Sequence, residues 1–359
     1  MTNEEAIENF NPNGIGIKGN LFGLPFTPEN ASLVVIPVPW EVTVSYNTGT
    51  AQGPKAVLEA SVQLDLAVQN IPDAWKLGIT MLAISTEWEE ESKQWRDHIA
   101  AYIKWLASGK KKSANNLILN AAEGVNGVSE KLNAWVKEEA LALMEQGKMV
   151  AVLGGDHSTP YGLMQALDEK NEDFGILQID AHADLREAYE GFEYSHASVM
   201  YNALKLKHLS KLVQVGIRDF SDSELSLINK LSNKIHTWFY NDIQKNIFEG
   251  NNWNSICNRI IADLPQNVYI SFDIDGLDPK LCPNTGTPVP GGFEFHEIMF
   301  LIEKLVKSGR KIIGFDVCEV APGKNSEWDG NVGARVLYML SNFMAVSQEK
   351  LNLSSNARH

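Results

Sequence analysis

Six short apolar runs recur along the chain: SLVVIPVP at 32–39, MVAVLGG at 149–155, FGILQID at 174–180, LVQVGIRD at 212–219, VYISFDID at 268–275 and KIIGFDVCEV at 311–320. They are rich in Val and Ile and lack strict alternation, the pattern of strands buried on both faces and hence of a parallel sheet. Helix-length stretches separate them. Glu130–Gln146 has helical spacing and stops before Gly147, a candidate C-terminal cap. Alternating strands and helices predict a three-layer α/β/α fold around a mainly parallel central sheet. Residues 86–130 break the rhythm. Trp95, Ile99, Tyr102, Ile103 and Leu106 fall near helical spacing, and GKKKSANN at 109–116 reads as an exposed loop. An amphipathic helix covering the sheet is the expectation there, with a lid or a subunit contact as the alternative. With no repeat and no linker, residues 1–359 read as a single domain carrying an N-terminal extension (about 1–30) and a helical insertion (about 86–130).

Composition narrows the possible partners. The hydrophobic share of 44% and charged share of 21% are those of a soluble globular protein. A net charge of −14 argues against nucleic acid and anionic membrane, both of which demand a basic footprint, and is compatible with a cationic ligand. Cys257, Cys282 and Cys318 are odd in number and widely spaced, so neither a disulfide framework nor a zinc ribbon is expected. The acidic start MTNEEAIENF lacks the apolar stretch of a signal peptide, and no run reaches the roughly 18 residues that span a bilayer. A cytoplasmic location is expected.

The candidate chemistry lies at the ends of the predicted strands, where ligands of open α/β sheets sit. If the strand continued through Asp180, His182 and Asp184, alternation would aim all three side chains at one side, roughly 6–7 Å apart. Asp273 and Asp275 repeat that spacing, and His157 in GGDHS adds an imidazole. Four carboxylates and two imidazoles exceed the needs of one divalent ion but suit two ions sharing bridging carboxylates. Such a pair, roughly 3.5–4 Å apart, can bring a shared water's pKa towards neutrality. The pattern points to a binuclear metallohydrolase. Asp278 before Pro279 reads only as a turn former.

In order, GGDHS, DAHAD, SFDIDGLDP and GFDVCEVAP resemble the four signatures of the ureohydrolase family, over roughly residues 32–345. That family includes arginase, agmatinase, guanidinobutyrase, guanidine hydrolase and formimidoylglutamase. The resemblance implies that His157, Asp180, Asp184 and Asp273 hold one metal and His182 and Asp275 the other, with Asp180 and Asp273 bridging. It implies Glu319 as the carboxylate that pairs with a guanidinium, and His196 as the proton-transfer histidine; Asp184 would also help hold the tetrahedral intermediate. Read alone, Glu319 is equally a strand-end salt bridge and His196 a structural histidine. Asp156 is expected to orient ligands. Mn²⁺ suits the oxygen-rich set, and Ni²⁺ accepts it too.

Departures from arginase bear on the substrate. Arg186 stands where arginases carry an Asn for the substrate carboxylate, and Ser221 replaces an aspartate of the α-amino site, although Asp219 and Glu224 persist. The triplet Asp184-Leu185-Arg186 is similar to formimidoylglutamases, which release formamide, whereas GTPVPGG at 286–292 is similar to agmatinases. Tyr189, Phe192, Tyr194 and Trp328 either narrow the pocket for a short guanidine or pack subunits together, with Arg186, Tyr189 and Trp328 expected to touch substrate. The expectation is an amidinohydrolase that uses two divalent ions to release urea from a small cationic guanidine, assembled as a homo-oligomer, a trimer or hexamer. The rivals are a formimidoylglutamase and a catalytically silent binding or assembly protein. A deacetylase on a related fold has no need of both acidic pairs.

Overall fold

A computed structural model describes residues 2–44, 46–107, 116–170 and 173–354. Eight strands form one sheet: β1 (Leu33–Val38), β2 (Ile79–Met81), β3 (Met149–Gly154), β4 (Phe174–Ile179), β5 (Leu209–Val215), β6 (Ile235–Trp238), β7 (Asn267–Asp273) and β8 (Lys311–Cys318). Their order is β2-β1-β3-β8-β7-β4-β5-β6, and every pairing is parallel. Every residue of β1, β3 and β4 is buried, which is why these strands are apolar but for Gln178 in β4.

Helices cover both faces. Gly53–Ser61 and Phe295–Lys307 each pack against Trp328–Ser347; Asn116–Glu145 packs against Tyr161–Glu169. Phe295–Lys307 shows why such segments fold as they do. Ile298, Met299, Leu301, Ile302, Leu305 and Val306 are its buried stripe, Glu294 and Glu297 form a capping box, and Lys304 and Lys307 sit in its last turn. Burying one such aliphatic side chain contributes ~1.5–3 kcal/mol, so Ile302→Asp would break this face. Among the described residues no helix is long and apolar enough to cross a membrane.

The described part of the 86–130 region is built of helices. Its helices are Thr86–Ala107 and Asn116–Glu145; the second takes in the predicted Glu130–Gln146 segment except its last residue, and the chain turns at Gly147 with φ of 73°. Thr86–Ala107 packs on Asn116–Glu145 and on loops at the strand ends. Close helix contact is possible because a Cβ at Gly124 would sit 2.6 Å from the Trp95 ring. The GKKKSANN loop falls, from 109 to 115, outside the described residues.

The four central strands are β3, β8, β7 and β4, and their carboxyl ends lead directly to GGDHS, Glu319, the Asp273 pair and Asp180. Sequence-distant motifs therefore meet in the middle of one rim.

Candidate metal centre

The local backbone around Asp180–Asp184 departs from the expected strand. β4 ends at Ile179, His182 makes a single parallel bridge to Asp219, and Asp184 has a left-handed φ of 53°. Gly216, with φ of 105°, lies where a Cβ would be 2.9 Å from the Asp180 carbonyl, so the β5 side gives way too. The ligands converge because a loop curls them inward, not because a strand alternates. Left-handed φ at Asp184, and at Glu319 (64°), costs of order 1–3 kcal/mol each and survives only where surrounding contacts enforce it.

Buried His157 is the hub. Its Nδ1 lies 2.9 Å from Asp184 Oδ2, 3.0 Å from Asp180 Oδ2 and 3.3 Å from Asp273 Oδ2. Nε2 meets Ser271 Oγ at 2.9 Å, which leaves Nδ1 facing the carboxylates. His182 Nδ1 lies 3.0 Å from Asp275 Oδ2 and 3.6 Å from Asp180 Oδ1. The ligand atoms of His157, Asp180 and Asp184 all fall within 4.8 Å of one another, as do those of Asp180, His182 and Asp275. The two triads share Asp180. A third group, His157, Asp316 and Cys318, lies behind the imidazole, but Asp316 is already occupied by Tyr269 Oη (2.7 Å) and the Phe272 N–H (3.2 Å).

Electrostatics say what this cage lacks. Burial alone would lower the proton affinity of His157, but Asp180, Asp184 and Asp273 outweigh it and push its pKa well above the usual range. Burial and then the charge of Asp180 raise Asp184 to about 7; burial, Asp275 and Asp180 push Asp273 well up. Asp180 resists its own burial and is held low by His157 and His182. His157 Nδ1, among three carboxylate oxygens, makes no hydrogen bond of proper geometry, as expected of a lone pair meant for a cation. The donor set therefore fits divalent ions.

Amides missed by the sequence reading orient the shared carboxylate. Gln178 Nε2 donates to Asp180 Oδ2 (2.7 Å), Gln214 Nε2 to Gln178 Oε1 (2.7 Å) and Thr237 Oγ1 to Gln214 Oε1 (2.7 Å). A glutamine inside each of two apolar runs was the available signal. Asp156 does not touch the ligands. It accepts the N–H and hydroxyl of Ser158, and burial raises its pKa to about 6.

A cavity of about 220 Å³ opens over His182 and Asp184, lined also by Tyr46, Arg186, Tyr189, His196, Asp219, Phe220, Glu224 and Thr287–Val289. His196 Nδ1 meets Thr43 Oγ1 at 3.2 Å; burial, then His182 and His157, lower its pKa to about 3, so the ring is neutral. Arg186 stacks over Tyr189 at 4.9 Å with Nε 3.7 Å from Glu224. Glu319 lies deeper. Its Oε1 accepts the His157 N–H at 2.9 Å and its buried Oε2 has no partner; burial and Asp156 push its pKa well up. Three of the four bulky residues do not line the cavity. Phe192 is buried against Tyr102, Tyr194 packs on Tyr161, and Trp328 is 48% exposed with its indole N–H on the Lys280 carbonyl. Ser221 caps the helix Asp222–Lys230 instead of facing the cavity.

A family profile described as the Arginase family matches residues 31–341. The chain is 33% identical over 309 residues to the N(1)-aminopropylagmatine ureohydrolase of Thermus thermophilus, covering 84% of this chain and 87% of that one. It is 28% identical to the agmatinase of Chromobacterium violaceum, over 82% and 77% of the two chains. The agmatine ureohydrolase of Thermoplasma volcanium superposes with a TM-score of 0.68 at 25% identity, over 97% of this chain and 99% of that one. Match, motifs and rim geometry agree: the chain belongs to the arginase family and is a ureohydrolase, a hydrolase of C–N bonds in linear amidines.

Proposed function

We propose that this ureohydrolase splits a small guanidine with a cationic tail, of the agmatine type, into urea and an amine. The observation that carries the reading is the buried, unpartnered Oε2 of Glu319 beside the cage, because a planar guanidinium is the cation that best satisfies such a carboxylate. Further out, Asp219 lines the cavity and favours a second positive charge on the tail, while Glu224 is engaged by Arg186 and by the Leu185 and Ser221 N–H groups. Only Tyr189 among the expected bulky residues lines the cavity, so the case for guanidine itself as sole substrate weakens, and relatives named for agmatine and aminopropylagmatine support the longer class.

His157, Asp180, Asp184 and Asp273, with His182 and Asp275, would hold two divalent ions, Mn²⁺ by preference and Ni²⁺ as the alternative. Bound there, they would supply the charge that makes a water nucleophilic near pH 7. Glu319 holds the guanidinium and orients its carbon. Thr43 holds His196 Nδ1, which leaves Nε2 to take up a proton and hand it to the departing nitrogen.

Arg186 supports a second reading, in which it binds the carboxylate of an acidic amidine and formamide is released. Its contact with Glu224 and Tyr189 weighs against that. Metal-loaded protein should release urea from agmatine or aminopropylagmatine under Mn²⁺ or Ni²⁺. Formamide from formimidoylglutamate would favour the second reading. Silence across guanidines and amidines, with the metals bound, would overturn both.

A further inference from the structure

The helix Thr86–Ala107 reaches the two loops that face each other across His196. At the first loop, Ser92 Oγ accepts the Glu41 N–H at 3.1 Å. Arg96 Nη1 donates to the carbonyls of Val42 (3.0 Å) and Val44, the residues on either side of Thr43. Thr43 Oγ1 in turn meets His196 Nδ1 and accepts the His196 N–H at 3.3 Å. At the second loop, Tyr102 Oη donates to the Glu190 carbonyl at 2.6 Å, and its ring packs edge-on against Phe192. Glu190 has φ of 56° and lies in a tight turn closed by reciprocal bonds between Tyr189 and Phe192. Asn126, on the neighbouring helix, grips the same turn by donating to the Gly191 carbonyl (3.2 Å) and accepting the Glu193 N–H (2.8 Å).

We propose that this inserted helix is a positioning clamp for the proton-transfer histidine, with Arg96 and Tyr102 as its positioning residues. The assignment rests on the role proposed for His196. Neither residue lines the cavity. Arg96 works through the two peptides that bracket Thr43, and Tyr102 through the turn that carries Tyr189. A guanidinium is well matched to such a role, since several fixed N–H donors on one planar group can hold two carbonyls at a set separation. Nearby Glu41, Asp156 and Glu190 favour its charge, although burial lowers its pKa. Holding a catalytic group by contacts outside the pocket is worth large factors, because small displacements of reacting groups are expensive.

The test uses full-length, metal-loaded protein carrying Arg96→Met, Tyr102→Phe or His196→Asn, alone and in pairs. Tyr102→Phe keeps the ring packing and deletes one hydroxyl, so a folded protein is secured even if Arg96→Met is not. Each clamp variant should retain wild-type metal content and lose about tenfold in kcat with KM little changed. In the His196→Asn background neither should cost anything further, because removing the histidine removes what the clamp positions. Additive losses, or loss of metal, would overturn the proposal. Amide hydrogen exchange gives a readout independent of turnover: Arg96→Met should speed exchange at residues 40–44 and Tyr102→Phe at 186–196, with β4 unchanged. Unchanged exchange in both loops would also overturn it. Absence of urea from the wild-type protein would sink the proposed function, and exchange alone would then decide the clamp.

Discussion

The backbone N–H of His157 donates to Glu319 Oε1 at 2.9 Å, joining the imidazole at the centre of the cage to the carboxylate proposed to hold substrate. The link comes from neighbouring strands: β3 pairs with β8, and the Glu319 N–H returns a bond to the Gly155 carbonyl at 2.8 Å. Displacing either turn therefore moves both groups together. On the other side of this turn Gly155 admits nothing larger, since a Cβ there would lie 1.9 Å from the Trp40 carbonyl.

Glu319→Gln keeps the shape and removes the charge. A charge-assisted hydrogen bond is worth ~1.5–3 kcal/mol, so kcat/KM for a guanidine should fall about 10- to 100-fold. Urea assays with parallel metal analysis check this, and metal content should stay at the wild-type level.

Gly286→Ala tests the same carboxylate from the other side. The new methyl would sit 2.8 Å from Glu319 Oε2 and fill the space into which the guanidinium must reach. Substrate KM should rise by about tenfold or more while the melting temperature changes little. An unchanged KM would place the guanidinium elsewhere.

Asp180→Asn removes the one carboxylate common to both triads. Metal stoichiometry, read by elemental analysis after dialysis, should fall for both ions rather than one. Loss of a single ion would show that the sites are independent.

Metal removal should steepen the protein's response to pH. Asp184 (to about 7), Asp156 (to about 6), Asp273 and Glu319 are all raised, and His157 is raised above its usual value. A raised pKa means that the folded state holds a proton which the unfolded state has lost, so stability falls as pH climbs through that interval. Lowered His196 opposes this only below the usual histidine range. The metal-free protein should therefore melt at lower temperature as pH rises from 5 to 8, and the loaded protein should show a shallower slope, measured by calorimetry at matched salt.

Asp219→Asn addresses the tail. Its side chain is 67% exposed at the cavity mouth, so the contribution is modest. KM for a guanidine with a distal amine should rise a few-fold, roughly 2- to 5-fold, and unsubstituted guanidine should be unaffected. An equal effect on both substrates would move the tail away from Asp219.

Much of this architecture was legible because it is written locally. Six of the eight strands are contiguous apolar runs, and the cage residues lie in short clusters at their ends. β2, three residues long, and β6, only one residue of which is fully buried, carry too little pattern to read. The geometry of 180–184 was misread because strand periodicity was extended past Ile179 into a loop with a left-handed residue. Contacts across long separations were illegible: Thr43 and His196 are 153 positions apart, and nothing in either neighbourhood announces the other. Bulk groups Trp328 with the loop aromatics, and bulk does not say whether a side chain lines the cavity or, like this one, lies half exposed outside it.

The Thr237–Gln214–Gln178–Asp180 chain has a direction. Each glutamine spends its two N–H groups on fixed acceptors, Gln214 on Gln178 and Ala183 and Gln178 on Asp180 and His182, so neither amide can turn over alone. Reversing the chain would require every member to rotate at once. The carbonyls of Ala183 and His182, which can only accept, thus set the polarity of the row, and Asp180 receives a donor. Asp180, held as an anion by His157 and His182, thus also keeps a fixed amide donor at the end of a row that acts like a one-way valve.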